Sequence, residues 1–164
     1  GTVQALIERW NGTNWSIVPS PELDTLNFNP RGVNAKGSAP IVLAGSVNKG
    51  AGSRTLTERW NGTTWKYVRS PNLSGMNNYL IDVSLGAPDA WTVGWAEPPS
   101  SDHAVTLIER FAGGSWAIED SADIPGASNQ LFGTTVGPTG EVWAVGNYAP
   151  TGQPSRSLIE RLCP

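Results

Sequence analysis

The segment LIERWNGTNW at Leu6–Trp15 returns as LTERWNGTTW at Leu56–Trp65, as LIERFAGGSW at Leu107–Trp116 and, shortened to LIERL, at Leu158–Leu162. The spacing of 50, 51 and 51 residues restricts the chain to stacked copies of one supersecondary unit, because self-similarity at such a period marks repeat architectures. The copies run approximately over 6–55, 56–106 and 107–157, with a closing strand at 158–162, in a single domain.

Each copy reads as four short strands. Residues 3–10, VQALIERW, are rich in strand formers, and Asn11-Gly12 follows where a two-residue hairpin requires positive φ. The same signal stands at Asn61-Gly62 and, relaxed, at Ala112-Gly113-Gly114, and each returning strand carries a tryptophan: Trp15, Trp65, Trp116. Polar loops bearing Pro and Asn come next, from Pro19, Arg69 and Asp120. Two further strands complete the unit, clearest as LIDVSL and AWTVGWA (Leu80–Ala96) and as LFGTTV and EVWAVGNY (Leu131–Tyr148). Gly45, Gly94 and Gly146 align, as do Val42, Trp91 and Trp143 three residues earlier.

A four-stranded meander cannot bury both of its faces alone, whereas such sheets stacked around an axis cover one another. The expected fold is therefore all-β, a β-propeller of four-stranded antiparallel blades with about three blades per chain. A β-solenoid would use shorter repeats, and a sandwich would not repeat its residues. Tight turns alternate with long loops, so all the long loops emerge on one face, where a ligand is expected.

Composition narrows the partners. A net charge of -3 with a pI near 5.1 offers no basic field for phosphate, which argues against nucleic acid and anionic membrane surfaces. No apolar run approaches the roughly 18 residues of a membrane span. The single cysteine, Cys163, has no intrachain partner and reads as a small apolar residue finishing a strand, or as a thiol pairing between chains.

The run LIERWNGTxWxxVxSP, followed by WxVG, resembles a family of bacterial β-propeller repeats found in secreted or surface proteins of soil bacteria, largely without assigned activity. The resemblance covers nearly the whole chain. It implies a propeller and a secreted or cell-surface bacterial setting, and it supplies no catalytic residues, metal or cofactor. The first copy departs from the pattern, with Val42 where the others have tryptophan.

Among candidate site residues, the repeated pairs Glu8-Arg9, Glu58-Arg59, Glu109-Arg110 and Glu160-Arg161 point to opposite faces of their strands. They read as ties to neighbouring blades or backbone, since unpaired buried charge is costly. The alternative is a ring of charge lining a central channel. Trp15, Trp65, Trp91, Trp116 and Trp143 recur with the repeat and read as packing between blades. Trp95 does not recur, its counterparts being Ser46 and Asn147. With Phe28, Asn29, Asn78, Tyr79, Asn129, Gln130, Asn147 and Tyr148 it forms a set at the loop mouths suited to stacking on and hydrogen-bonding a glycan or a protein. The plainer reading of most of these is turn capping.

Enzyme chemistry has little support. His103 stands alone beside Asp102, short of a triad or a metal site. A glycoside hydrolase or lyase, the alternative function, would draw on the loop carboxylates Glu22, Asp24, Glu97, Asp102 and Asp123, none of them paired in sequence. The sequons at Asn11, Asn14, Asn61 and Asn72 are by-products of the repeat. A noncatalytic binding or scaffolding module is the expected function. Counting strands gives two, four, four and three, which leaves a ring unclosed and predicts a homo-oligomer, a six-bladed homodimer closed by strand exchange. The competing expectation is a piece of a longer propeller.

Overall fold

A computed structural model gives the fold and describes residues 6–19, 27–37, 40–48, 50, 52–86, 88–101 and 103–162. Cys163, Glu22, Asp24 and Asp102, and most of the first long loop, lie outside the described residues. Thirteen strands and no helix are found among the described residues. They are β1 (Glu8–Trp10), β2 (Trp15–Ile17), β3 (Asn27–Asn34), β4 (Ile41–Asn48), β5 (Ser53–Trp60), β6 (Trp65–Val68) and β7 (Asn77–Leu85). The rest are β8 (Ala90–Glu97), β9 (Val105–Ala112), β10 (Ser115–Glu119), β11 (Ala127–Val136), β12 (Val142–Pro150) and β13 (Arg156–Leu162). Every pairing is antiparallel between chain neighbours, giving sheets β1–β2, β3–β6, β7–β10 and β11–β13.

The hairpin turns differ from the two-residue form the Asn-Gly signal predicts. Trp10 pairs with Trp15 and Trp60 with Trp65, so four residues make each loop. Only the glycines, Gly12 and Gly62, take positive φ. The Asn61 side chain is the reason: its Oδ1 accepts the N–H groups of Thr63 and Thr64 at 2.9 Å, and Asn11 does the same for Thr13 and Asn14. The two-residue loop occurs instead in the relaxed copy, where Ala112 pairs with Ser115 across Gly113 and Gly114, both at positive φ.

The sheets stack face to face in chain order. Val42 and Ala44 of the first four-stranded sheet bury against Leu80, Val83, Leu107, Phe111 and Trp116 of the next. On the far side of that second sheet, Trp91, Val93 and Ile108 bury against Leu131, Val142 and Leu158 of the third. The leading strands of the second and third sheets are also hydrogen-bonded: Asp82 Oδ2 accepts from the Thr134 N–H at 2.8 Å and Ser84 Oγ from the Val136 N–H at 3.1 Å. Between the first and second sheets a side chain at the position of Asp82 is replaced by Gly32, whose Cβ would fall 2.8 Å from the Asp82 Cα. Backbone meets backbone there.

Each leading strand carries a β-bulge at the same place, between Pro30 and Gly32, Leu80 and Asp82, and Leu131 and Gly133. The extra residues are Arg31, Ile81 and Phe132. Opposite each bulge stands one of the aligned glycines, Gly45, Gly94 or Gly146, and a Cβ on it would run into the carbonyl oxygen of residue 29, 79 or 130. Space fixes these glycines, and none of the three takes positive φ. Gly94→Ala is expected to cost about 1–3 kcal/mol by forcing the bulge apart, seen as a lower urea midpoint at unchanged m-value; an unmoved midpoint would show that the bulge is not rigid.

Candidate functional site

Next to each bulge, two residues face each other across the first and second strands of the sheet: Asn29 and Ser46, Tyr79 and Trp95, Gln130 and Asn147. These pairs sit at the strand ends that meet the long loops. Side-chain alternation puts Trp95 on the face with Trp91 and Val93, toward the third sheet. The Tyr79 and Trp95 rings lie 5.4 Å apart, and Trp95 meets Phe132 of the third sheet edge to face at 5.7 Å. Tyr79 and Trp95 are half-buried, while Phe132 is exposed. The Trp95 Nε1 is buried without an acceptor, as is that of Trp116 deeper in the stack.

Phe132 belongs to this cluster although the sequence does not single it out. Its only signal is its place as the extra residue of the bulge, where the other copies carry Arg31 and Ile81. Asn29, Gln130 and Asn147 are at the equivalent ends of the other sheets, and their amides make no side-chain hydrogen bond among the described residues.

Three of the nine expected ligand-facing residues do not face solvent. Phe28 is core, buried with Leu43, Val47 and Leu56. Asn78 is buried and closes the preceding loop: its Oδ1 accepts from the Leu73 N–H at 2.8 Å, and its Nδ2 donates to the carbonyls of Leu73 and Met76. Asn129 repeats the device on Ile124 and Ala127. Tyr148 packs partly against the core between the second and third sheets. The loops are capped by amides that are spent on backbone, which leaves Tyr79, Trp95, Asn29, Gln130 and Asn147 at the surface row.

Of the two expected loop carboxylates that are described, Glu97 and Asp123, the second is similarly engaged. Asp123 Oδ1 accepts from both the N–H and the hydroxyl of Thr106 at 2.9 Å, clamping its loop to β9. One repeat earlier Asn72 holds Thr55, its Oδ1 accepting from the Thr55 N–H at 3.0 Å and its Nδ2 donating to the Thr55 Oγ1 at 2.9 Å. His103 is exposed, and no group of three or more potential metal ligands gathers among the described residues.

The repeated charged pairs divide by face. Glu58, Glu109 and Glu160 are buried between sheets, whereas Glu8 and Arg9 of the first hairpin are exposed. The guanidinium of Arg59 lies 4.3 Å over the Phe111 ring of the next sheet, and Arg110 pairs with Asp89 through its Nε at 2.8 Å. Glu160 Oε2 accepts from the Ser121 hydroxyl at 2.8 Å and from the Ala122 N–H at 3.4 Å, both in the preceding sheet's trailing loop.

No protein-family model and no curated protein matches the chain.

Glu109 lacks what Glu160 has. Pro71 stands where Ala122 would offer an N–H, and the Ser70 hydroxyl is given to Thr55 Oγ1 at 2.7 Å. Both Glu109 oxygens are buried without a partner, and burial pushes this carboxyl well above the usual range. The folded chain therefore keeps a proton that the unfolded chain releases. Stability conferred by that proton is complete below the unfolded glutamate pKa and declines as pH rises from there to the folded pKa. Glu109→Gln, which cannot ionise, is expected to gain in stability relative to the parent as pH rises above the unfolded glutamate pKa. Parallel chevron or urea midpoints above that pKa would contradict the assignment.

Proposed function

We propose that the chain is a noncatalytic binding module, a β-propeller assembled from two copies into six blades, with a glycan bound on the long-loop face. The propeller reading is supported by four-stranded meanders that stack in chain order, each leading strand against the next, and by the bulge-and-glycine device that recurs at equal height. Known propellers of this kind hold about 4–8 blades. With the family resemblance of the LIERWNGTxW motif, this reading carries a secreted or cell-surface bacterial setting.

The observation that carries the binding reading is the Tyr79–Trp95–Phe132 cluster at the loop ends. An aromatic group with an exposed edge offers a sugar an apolar face for its C–H surface. The amides of Asn29, Gln130 and Asn147 at the equivalent positions extend the row with donors and acceptors. The hydrolase alternative is weakened by the commitment of Asp123 to Thr106.

Titration calorimetry with neutral oligosaccharides tests the assignment. Trp95→Ala and Phe132→Ala are each expected to weaken binding by roughly 5-fold or more, as follows from loss of one stacking contact of about 1–3 kcal/mol, the size of a base–aromatic stack, with unfolding by urea little changed for Phe132→Ala. A bound protein with no glycan affinity would point to the other ligand class. Glycan affinity indifferent to both substitutions would remove this cluster from the site.

A further inference from the structure

Five residues before the aligned glycines stand Pro40, Asp89 and Glu141, and three before them Val42, Trp91 and Trp143. Across the ladder the last three pair with Arg59, Arg110 and Arg161. In the second and third sheets the arginine is held within its own unit. Arg110 donates from its Nε to Asp89 Oδ2 at 2.8 Å and lies 5.3 Å from the centroid of the Trp91 ring. Arg161 lies 5.5 Å from that of Trp143, and the Glu141 carboxyl is held below the usual carboxylate range by its hydrogen bond from Thr139 first and by the charge of Arg161 among the lesser causes.

The first four-stranded sheet has neither partner for its arginine. Pro40 replaces the carboxylate and Val42 the indole, and the Arg59 guanidinium lies instead over Phe111 of the second sheet, 4.3 Å from the ring centroid. Its Nε is buried and meets no acceptor, and among the described residues no carboxylate pairs with it. Where the larger side chain would stand, a cleft of about 160 Å³ runs between the two sheets at the tight-turn end of the stack. Arg59, Val42, Leu85 and Phe111 line it, and the exposed Lys36 adds a second cation.

We propose that this cleft binds a small carboxylate anion with an apolar body, of the size of benzoate, which gives Arg59 the carboxylate that Asp89 gives Arg110. The charge balance favours an anion. Asp89 also borders the cleft, but its Oδ2 is taken by Arg110, which leaves Arg59 and Lys36 as two cations with no ion-pair partner among the described residues. A cation over the face of a ring gives up none of its N–H donors, and a guanidinium matches the planar carboxylate better than it matches any other anion of one charge. Arg59 is half-buried, and with its Nε enclosed the contact falls to the two Nη groups. The size follows from the volume: an apolar cavity of about 150 Å³ takes up benzene, close to the 160 Å³ found between Val42 and Phe111. Inorganic phosphate would satisfy the charge and leave Val42, Leu85 and Phe111 uncovered.

Both walls of the cleft belong to the two four-stranded sheets in the middle of the chain, so the site is complete within one copy. It lies at the opposite strand ends from the Tyr79–Trp95–Phe132 row, because Pro40 and Asp89 border the turns that join the first and second strands of each sheet, whereas that row meets the long loops. The carboxylate site is therefore independent of the glycan reading and of the number of blades.

Nuclear magnetic resonance titration of the isotope-labelled chain tests the site. Benzoate is expected to bind with saturable movement of the Arg59 Nε–H and Phe111 ring signals. Benzyl alcohol, which has the ring without the charge, and inorganic phosphate, which has charge without the ring, are each expected to bind at least about 10-fold more weakly. Pro40→Asp, at an exposed position, supplies Arg59 with a carboxylate of its own and is expected to weaken benzoate binding by roughly 10-fold or more with unaltered circular dichroism. Arg59→Met, which keeps an unbranched apolar stem beside Phe111, is expected to do the same, and Lys36→Gln to weaken binding by up to about 5-fold. Should Arg59→Met fail to fold, Pro40→Asp decides alone. Signals unmoved by millimolar benzoate, benzyl alcohol or phosphate bound as tightly as benzoate, or a benzoate affinity indifferent to Pro40→Asp would each overturn the proposal.

Discussion

A four-stranded sheet with apolar side chains on both faces is stable in water only if both faces are covered, and this requirement organises the molecule. Within the second sheet, Leu107 and Phe111 point one way and Ile108 the other, and each set finds a neighbouring sheet. Strands of one unit contribute little core by themselves. Burial of a Leu, Ile or Phe side chain contributes about 1.5–3 kcal/mol, and two of the three core clusters draw their buried residues from two sheets. Stability in such a stack is a property of interfaces, so the two end faces behave unlike the middle ones although their residues are the same.

Face-to-face stacking also dictates where the leading strands lie. They approach closely enough that Asp82 reaches the Thr134 N–H and Gly32 must lack a side chain. At the same height the bulge adds one residue and turns it out of the ladder. In the third sheet that residue is Phe132, and the twist at the bulge delivers its ring to Trp95. The glycine opposite each bulge is the steric counterpart of the same distortion. A single backbone irregularity therefore both spaces the sheets and presents the aromatic row.

Much of this was legible in the residues. The recurrence of LIER with its hairpin fixes strand number and order, because a period-two apolar pattern and a turn signal act locally and identically in each copy. What depended on distant contacts was not legible. Trp15 and Trp143 match buried tryptophans in sequence, yet they are exposed, since burial is decided by the neighbour and not by the motif. Asn78 and Asn129 read equally well as ligand amides or loop caps until the carbonyls of Leu73 and Ile124 are seen against them. The four-residue turns follow from an Asn side chain competing with the backbone for the same N–H groups, a choice that the Asn-Gly dipeptide alone does not reveal.

Repetition within one chain separates structural demand from other demands. Where a requirement is common to every unit, the residue is held: Gly45, Gly94 and Gly146 by the bulge carbonyl, Leu56, Leu107 and Leu158 by the neighbouring sheet. Where units differ at a buried position, as Val42 differs from Trp91, the difference is one of volume, and a pocket of about 160 Å³ borders Val42. The loop-end row differs in another manner, passing from Asn29 and Ser46 through Tyr79 and Trp95 to Gln130 and Asn147. These changes alter hydrogen-bonding chemistry and not only size, at positions no shared contact constrains. A row that varies in chemistry over a backbone that does not vary is the part of the molecule free to be fitted to a ligand.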